Sequence, residues 1–493
     1  MCIDPLKVTV WERLRQSDLR PFARLLPPEG IAHAAQQAGL ALGRGPLNVV
    51  NLVWLAIASA LHTSKNFAEV LGLVLKLLRD APDWDSSPLA HLQRRGQRRA
   101  RRQKRSKHDP RGQDPTAVSE EAFVQARRRL PWAFWVHLLL WLTDHFEHEH
   151  GARTRWKHFR LLALDGTCVN LPAWRRLAEA FGTASNGKGP RRRRTQARLV
   201  MIQMPLVRLP WRYELTSIHE GEKTVAARLL AGLRPNDLLL IDRGFWSYGL
   251  FWQIQNQQAF FAIRLVAQVR LRTLRPLGDQ DRLVRYQPRD PKKKWRGLPK
   301  MLDLRVIKYQ VKGFRPSAVV TNVTDPQVIT RQEWIQLATV DEAGRVLTKA
   351  GLYHRRWEIE TTFFELKVTQ GMQGHLRSRS PEGIRYEVAG HVLLYLLLRW
   401  LLVEAAAQAQ VDDPLRLSFA AAVEEFRELQ VQLVWSPEAH VTGVLLPRLL
   451  ERMANHRVPL RPGRHYPRPN DHKPKNKGHG QYQKPSKVSR KRT

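Results

Sequence analysis

Two aspartates lie at the ends of strongly apolar segments, Asp165 after LLAL and Asp242 after DLLLI. A carboxylate in such a position is costly to bury unless a partner compensates its charge. For either residue alone the simpler interpretation is a turn cap, a common role for aspartate where a strand meets a turn. If the two lie on neighbouring strands of one sheet, however, they could converge on a hard divalent cation such as magnesium, which prefers oxygen ligands.

The later segment GLYHRRWEIETTFFELK holds Tyr353, Arg356, Glu360 and Lys367 at gaps of three, four and seven. On a helix with about 100° per residue, these four fall within an arc of about 60°. One stripe of hydroxyl, guanidinium, carboxylate and ammonium suits a surface that meets phosphates and a metal. The alternative is a solvated helix with an Arg–Glu pair at i, i+4 spacing. Apolar neighbours that indicate packing in a core weaken this alternative: Ile359, Phe363, Phe364 and Leu366.

The elements that would position these residues follow the order of a mixed sheet covered by helices. The apolar pattern predicts, in chain order, strands at 161–171, 197–207 and 211–219, a helix at 222–232, a strand at 237–245, a helix at 248–257 and a strand at 259–265. Helix is expected again at about 346–370 and at 381–409. The two aspartates would then belong to one sheet, and the glutamate to a later helix.

Basic residues dominate the composition: 82 Lys and Arg against 44 Asp and Glu give a net charge of +38 over 493 residues. A surface this positive attracts polyanions over long range. Release of condensed counterions when Lys and Arg reach phosphates favours DNA in particular. Nucleic acid is therefore the expected partner, with a ribosome-associated or a membrane-surface protein as the alternatives.

The two cysteines, Cys2 and Cys168, argue against a disulfide framework and against a zinc finger. The first residues carry charges and lack the apolar core of a secretory signal. Two apolar stretches, 47–62 and 388–403, fall short of about 20 uninterrupted apolar residues, the length needed to span a bilayer. The second stretch also contains Arg399. We therefore expect buried helices, no membrane span and a cytoplasmic protein.

The spacing Tyr-x2-Arg-x3-Glu-x6-Lys is the YREK signature, and the chain resembles the DDE transposases of the insertion-sequence-4 group over residues 116–410. The similarity includes the ALDGT strand, the IDRGF turn and the SRSPEGI segment. It implies an α/β fold: an RNase H-like mixed sheet with flanking helices, interrupted by a β-rich insertion, plus an N-terminal all-helical domain. The predicted order of strands and helices agrees with that plan.

The pattern of apolar and basic residues along the chain, together with the resemblance, predicts a division into regions. We expect an N-terminal helical DNA-binding region at 1–157 with a basic loop at 94–111, an RNase H-like catalytic domain at 158–265 and 346–410, a β-rich insertion at 266–345, a C-terminal helical region at 411–455 and a basic, disordered tail at 456–493. The loop and the tail have few apolar residues, so they cannot bury a core. They are expected to contact DNA phosphates without reading sequence.

By the same resemblance, Asp165, Asp242 and Glu360 are the catalytic triad and the metal ligands. Hydrolysis of a phosphodiester needs an activated water, stabilised charge on phosphorus and an eased leaving group, and two magnesium ions about 4 Å apart supply all three. Manganese would substitute for magnesium. A freed 3′-hydroxyl would then attack target DNA at the same site, with no covalent protein intermediate.

The implied protein is a DNA transposase of an insertion sequence, with cut-and-paste as the expected pathway. Its partner is double-stranded DNA, both the terminal inverted repeats of the element and the target. Tyr353, Arg356 and Lys367 are expected to hold DNA phosphates near the scissile end. Two ends must be joined, so a homodimer is expected in the DNA complex. The cellular place that follows is the bacterial cytoplasm, on the nucleoid.

One departure from the family and two rival functions stay open. Some relatives insert a tryptophan from the start of the strand SAVVTNVT into the DNA end, where it stabilises a flipped base; this chain has Phe314, Arg315 and Pro316 there. A DNA-binding derivative without catalysis, domesticated or inactive, would share all the charge. A structure-selective nuclease would share the RNase H-like fold. The three acids argue against the first rival. The helical region, the insertion and the signature argue against the second.

Overall fold

The computed structural model describes residues 20–43, 47–65, 67, 69–70, 120–185, 193–289, 295–310, 316–340, 346–436 and 438–459. The predicted basic loop at 94–111 lies outside the described residues, and so does the predicted tail from residue 460 onward. The described parts of the first 157 residues are mostly helical, as the sequence predicts.

The strands form one large mixed sheet and a separate two-stranded sheet. In chain order they are β1 (Arg155–Trp156), β2 (Phe159–Asn170), β3 (Thr183–Ser185), β4 (Arg193–Met204), β5 (Leu209–Ser217), β6 (Asp237–Ile241), β7 (Phe260–Arg264), β8 (Arg272–Gly278), β9 (Asp281–Tyr286), β10 (Leu302–Tyr309), β11 (Ser317–Thr321), β12 (Gln336–Val340) and β13 (Val346–Ala350). Strands β12 and β13 pair with each other in antiparallel register.

The α-helices surround this sheet and also form a helical layer of their own. In chain order they are α1 (Arg20–Ala23), α2 (Pro28–Gln37), α3 (Val49–Leu61), α4 (Glu120–Arg128), α5 (Trp132–His150), α6 (Arg175–Phe181), α7 (Glu222–Leu230), α8 (Tyr248–Asn256), α9 (Arg331–Ile335), α10 (Glu358–Phe364), α11 (Pro381–Gln408), α12 (Phe419–Trp435), α13 (Glu438–His440) and α14 (Leu446–Asn455). Short 3-10 turns occur at Arg243–Phe245 and Leu352–Trp357, and a π turn at Glu365–Thr369.

The centre of the sheet has the strand order β5-β4-β2-β6-β7. Strand β2 is antiparallel to β4 and parallel to β6, which is in turn parallel to β7. Every residue of β6 is buried, as expected for a parallel strand covered on both faces. The predicted strands and helices are present in the predicted order as β2, β4, β5, α7, β6, α8 and β7, but α6 and the short strand β3, which were not predicted, lie between β2 and β4.

Strands β8 to β11, from the region predicted to be β-rich, extend this same sheet. Strand β11 pairs antiparallel with β7, and β10, β9 and β8 follow outward. A buried ion pair holds two of them together: the Arg305 guanidinium on β10 donates to the Asp281 carboxylate on β9 at 2.9 Å. The chain therefore leaves the central strands at β7 and returns for the segment that carries Glu360.

The N-terminal helices share an apolar core with the long helix α11. Gly390 on α11 lies so close to α3 that a Cβ there would meet the Ala56 carbonyl oxygen at 2.5 Å. The Tyr386 hydroxyl donates a hydrogen bond to the Leu52 carbonyl at 2.6 Å. Glycine at this crossing lets the two backbones approach, and α3 is thereby fixed to the helix that also supports the sheet.

Helix α11 is the one described helix that is long and apolar enough to cross a membrane by length and composition. Its most apolar window is 94% buried inside the protein, however. The shorter apolar helix α3 is buried along nearly its whole length. The prediction that both apolar stretches are core helices is confirmed.

The prediction of helix from residue 346 is wrong for residues 346–350, which form β13. Valine, leucine and threonine in VLTKA pair with the strand QLATV, and this tertiary pairing outweighs any local helical preference. The chain then turns at Gly351, whose N–H donates to the Ile335 carbonyl at 2.8 Å. A Cβ at residue 351 would lie 2.3 Å from the Trp334 carbonyl oxygen, so the turn depends on glycine.

Candidate active site

The two predicted aspartates lie side by side where the parallel pairing of β2 and β6 ends: Asp165 is within β2, which continues to Asn170, and Asp242 follows the last residue of β6. The register pairs Leu164 with Ile241, and each aspartate is the next residue along its strand. Asp165 accepts a hydrogen bond from the Gly166 N–H at 2.8 Å, and its side chain is 18% exposed. Because hydrogen bonds between the two strands fix this register, Asp165 and Asp242 are held next to each other.

Asp242 also caps the turn that follows β6, accepting a hydrogen bond from the Gly244 N–H at 3.0 Å. Its side chain is 38% exposed. The turn-cap interpretation therefore holds for this residue, and the capped turn also fixes its carboxylate 3.7 Å from Arg356 Nη1.

The segment with Glu360 is not one regular helix. It begins as the 3-10 turn Leu352–Trp357, continues as α10 and ends in the π turn Glu365–Thr369. In a 3-10 turn, side chains three residues apart eclipse each other, so Tyr353 and Arg356 point the same way, into the protein. Glu360 is 44% exposed. The predicted single stripe at 100° per residue therefore does not describe these residues. The Arg–Glu pair at i, i+4 spacing, which belonged to the alternative interpretation, is present.

Arg356 lies among all three acidic residues. Its Nη1 is 3.3 Å from Asp165 Oδ2 and 3.7 Å from Asp242 Oδ1, and its Nη2 is 2.9 Å from Glu360 Oε1. The Arg356 side chain is only 5% exposed and stacks over the Trp357 ring at 4.6 Å. Strands β2 and β6 together with helix α10 thus bring the three carboxylates to one cationic group. Three negative charges against one positive charge leave an excess of negative charge at this place.

Burial shapes the protonation of the first aspartate. It raises the pKa of Asp165 to about 6, against the opposing effects of the Gly166 N–H and the Arg356 guanidinium. Asp242 and Glu360 act in the same direction as burial, because their negative charges disfavour ionisation of a third carboxylate nearby. A bound cation would relieve both penalties, so this carboxyl group is prepared for a positively charged partner.

Tyr353 and Lys367 hold the surrounding backbone. The Tyr353 hydroxyl donates to the Ile241 carbonyl at 3.0 Å and accepts from the Arg264 N–H at 3.1 Å, which ties the ends of β6 and β7 together. Lys367 Nζ donates to Thr167 Oγ1 and to the Cys168 carbonyl, both at 3.0 Å. Both residues therefore connect the segment of Glu360 to the strands that carry the aspartates.

Glu365, a residue that the sequence pattern did not single out, anchors the segment Leu352–Thr369 to other parts of the protein. Its carboxylate accepts hydrogen bonds from Arg208 Nη1 at 3.0 Å, from the Tyr395 hydroxyl at 2.7 Å and from Arg399. Arg399, on α11, is almost completely buried, so its charge needs a partner inside the protein. A charged residue within the apolar stretch 388–403 was the signal that such a partner exists.

The three carboxylates suit a divalent metal. Oxygen ligands of Asp and Glu are what magnesium and manganese prefer, and here they already surround a cation. A second group, Glu149, His150 and Glu404, has ligand atoms within 4.8 Å of one another elsewhere in the protein. Glu404 of that group is paired with Arg24. The strand ends therefore offer the larger excess of negative charge.

Comparison with known proteins places this arrangement in a family. The family model described as "Transposase DDE domain" matches residues 156–397, a range that runs from β1 into α11 and contains all three carboxylates. The transposase InsG for insertion sequence element IS4 of Escherichia coli (strain K12) is 26% identical over 369 residues, which cover 71% of this chain and 76% of that protein.

Among solved structures, the cryo-EM structure of the piggyBac transposase synaptic complex with hairpin DNA matches with a TM-score of 0.37 and 12% identity. The match covers 90% of this chain and 86% of that chain. A similarity this low carries no argument about this protein. The assignment follows from the family model and the IS4 relative: the protein is a DDE transposase. Within that class, the chain belongs to the group of insertion sequence 4.

Proposed function

We propose that this chain is a catalytically competent DNA transposase that cuts the terminal inverted repeats of an insertion sequence and joins the 3′-hydroxyl ends to target DNA. Asp165, Asp242 and Glu360 are its metal ligands. The observation that carries the proposal is their convergence on the single cation Arg356, at 3.3, 3.7 and 2.9 Å. The strand order of the central sheet supports an RNase H-like catalytic domain.

Magnesium, or manganese in its place, would supply activation of the attacking oxygen and stabilisation of charge on the phosphorus. The protein's own residues provide the frame. The parallel register of β2 and β6 fixes the spacing of the two aspartates, while α10 brings Glu360 to the same arginine, Arg356. Tyr353 keeps the end of β6 in place, because its hydroxyl bridges two strand ends.

The substrate is proposed to be double-stranded DNA, held by a homodimer that brings two ends together in a cut-and-paste reaction. The net charge of +38 supports an extended contact with phosphates. Arg356 contacts the three carboxylates, and Lys367 contacts Thr167 and Cys168 on the strand that carries Asp165, so both are proposed to meet the phosphates next to the scissile bond. The basic loop at 94–111 and the tail at 456–493 are proposed to add affinity without sequence preference.

The test is cleavage of a duplex that carries the sequences flanking the gene, in magnesium and in EDTA. The variants Asp165→Asn, Asp242→Asn and Glu360→Gln should each lose cleavage by about a thousandfold or more, since metal stabilisation of a transition state is worth several kcal/mol. Each should still bind the duplex. Glu179→Gln on α6, an exposed glutamate paired with Arg175, is the matched control and should cut at the wild-type rate.

Cleavage at the wild-type rate by any triad variant would remove that residue from the site. If the wild-type protein bound the ends and cut nothing in magnesium or manganese, the chain would be a DNA-binding derivative without catalysis.

A further inference from the structure

Arg356 lies among the three side chains that would hold a metal ion. It contacts one oxygen of each of the three carboxylates, and those contacts use the side chains that would ligate the metal. Arg356 is also more buried than any carboxylate it serves, with 5% of its side chain exposed against 18%, 38% and 44%. The three carboxylates are thus already paired with a cation that belongs to the protein.

A guanidinium and a divalent cation cannot share this place without strong repulsion, because like charges a few ångströms apart in a partly buried site are weakly screened. Loading of a metal therefore requires Arg356 to leave the carboxylates. Its charge then needs another partner, since a buried arginine without one is unstable. A DNA phosphate is a strong alternative, because guanidinium and phosphate form paired hydrogen bonds.

The neighbouring cation is not suited to this role. Lys367 Nζ is held by two neutral oxygens, Thr167 Oγ1 and the Cys168 carbonyl, and not by a carboxylate. Among the residues that the structure describes, Arg356 is the cation that bridges the three acids. Its guanidinium also stacks on Trp357, which is 41% exposed.

We propose that Arg356 is a positioning residue that exchanges between the carboxylates and a DNA phosphate, and so couples metal loading to binding of a DNA end. The inference rests on the proposed function of Asp165, Asp242 and Glu360 as metal ligands. Without DNA, Arg356 gathers the carboxylates and keeps metal affinity low. With an end in place, the phosphate takes the guanidinium and the freed carboxylates bind the metal. This arrangement prevents a loaded, reactive site in the absence of substrate.

The experiment measures binding of Mn²⁺ to the full chain by electron paramagnetic resonance of the free ion, without DNA and with a precleaved terminal-repeat duplex. Without DNA, Arg356→Ala should bind Mn²⁺ at least about tenfold more tightly than wild type, within the usual range of coupling between two ligands. Arg356→Lys keeps the charge and should remain close to wild type. Arg243→Ala removes the same charge from the exposed residue after Asp242 and should change affinity by less than about twofold.

Adding the duplex should tighten Mn²⁺ binding about tenfold more in wild type than in Arg356→Ala. By reciprocity, Mn²⁺ should tighten binding of the duplex by that same extra factor in wild type. Neutral methylphosphonates at the phosphates next to the cleavage point should remove the extra gain. Thermal melting of each variant shows that it is folded.

Two results separate this inference from the function on which it rests. If Asp165→Asn abolishes Mn²⁺ binding but Arg356→Ala binds no more tightly than wild type, or if DNA gives both the same gain, the exchange is wrong and the triad stands. If Asp165→Asn leaves Mn²⁺ binding unchanged, the metal is held elsewhere, and the proposed catalytic site fails together with the inference.

Discussion

Strands β2 and β6 run side by side, and the two ends of this pair treat charge in opposite ways. At the start, Arg160 on β2 meets Asp237 on β6 in a double hydrogen bond, with both distances 2.7 Å and both side chains almost fully buried. Arg160 also contacts Glu147 on α5 at 3.1 Å, and Arg234 contacts the same glutamate at 2.9 Å. Two arginines there serve two largely buried carboxylates, and Arg234 also pairs with Asp144, whose side chain is 55% exposed.

At the other end of the same strands, a single arginine serves three carboxylates. These side chains are partly exposed, and their charge exceeds that of Arg356. A buried, compensated pair stabilises one arrangement of elements and has no capacity for another ligand. An open and undercompensated group costs stability but retains affinity for a cation. The excess of charge and the exposure, and not the presence of aspartate, distinguish the site from the structural pair.

The sharpest way to test the structural end is Arg160→Met. It leaves the buried Asp237 carboxylate without its charged partner and should lower the free energy of unfolding by about 3–5 kcal/mol, the usual cost of breaking a buried pair. Chemical denaturation measures the loss. The double variant Arg160→Met, Asp237→Leu should recover most of it, because neither charge is then left uncompensated. A single variant as stable as wild type would show that the pair does not hold these strands.

A second contrast lies within one segment, between Glu365 and Glu360. Glu365→Gln should cost about 2–3 kcal/mol of stability, because it weakens charged hydrogen bonds to the buried residues Arg399 and Tyr395. Glu360→Gln should leave the free energy of unfolding unchanged or slightly higher, since it relieves repulsion among the acids. Equal destabilisation by the two variants in urea unfolding would remove the distinction between anchor and ligand.

The same anchor predicts a pH effect. Burial alone would raise the pKa of Glu365, but Arg399 and Arg208 outweigh it and hold the pKa below the usual value of about 4.5. Because the folded-state pKa is depressed, this stabilisation is complete above about pH 4.5 and is lost as pH falls through the lower folded-state value. Unfolding between pH 5 and pH 3 should therefore be less pH-dependent in Glu365→Gln than in wild type. An identical slope would contradict the assignment.

The smallest effect is expected from Tyr353→Phe. Loss of the hydroxyl leaves the Ile241 carbonyl and the Arg264 N–H without this partner, which should cost about 1–3 kcal/mol. Cleavage should fall modestly, by about tenfold, since Asp242 follows Ile241 directly and its position should shift. Tyr353→Phe with full stability and reduced affinity for DNA would instead support a direct phosphate contact.

The placement of Asp165 and Asp242 on one sheet could be predicted from the sequence, because each follows an apolar run that forms a buried strand segment. The role of Arg356 could not. Its position depends on a change from 3-10 to α to π geometry within Leu352–Thr369, and a constant angle per residue cannot express that change. The strand β13 was missed because its pairing with β12 is a tertiary contact that the local pattern of VLTKA does not express. Glu365 was missed because its partners lie on α11 and beside β5, far away in sequence.

The central claim is that Asp165, Asp242 and Glu360 form one metal site at the open end of the strand pair. Anomalous diffraction from crystals of the protein bound to a cleaved terminal-repeat duplex and soaked in manganese tests it most directly. The account predicts a manganese peak between these three carboxylates, with the Arg356 guanidinium moved onto a phosphate. A peak at Glu149, His150 and Glu404 instead, with the three carboxylates still on Arg356, would contradict it.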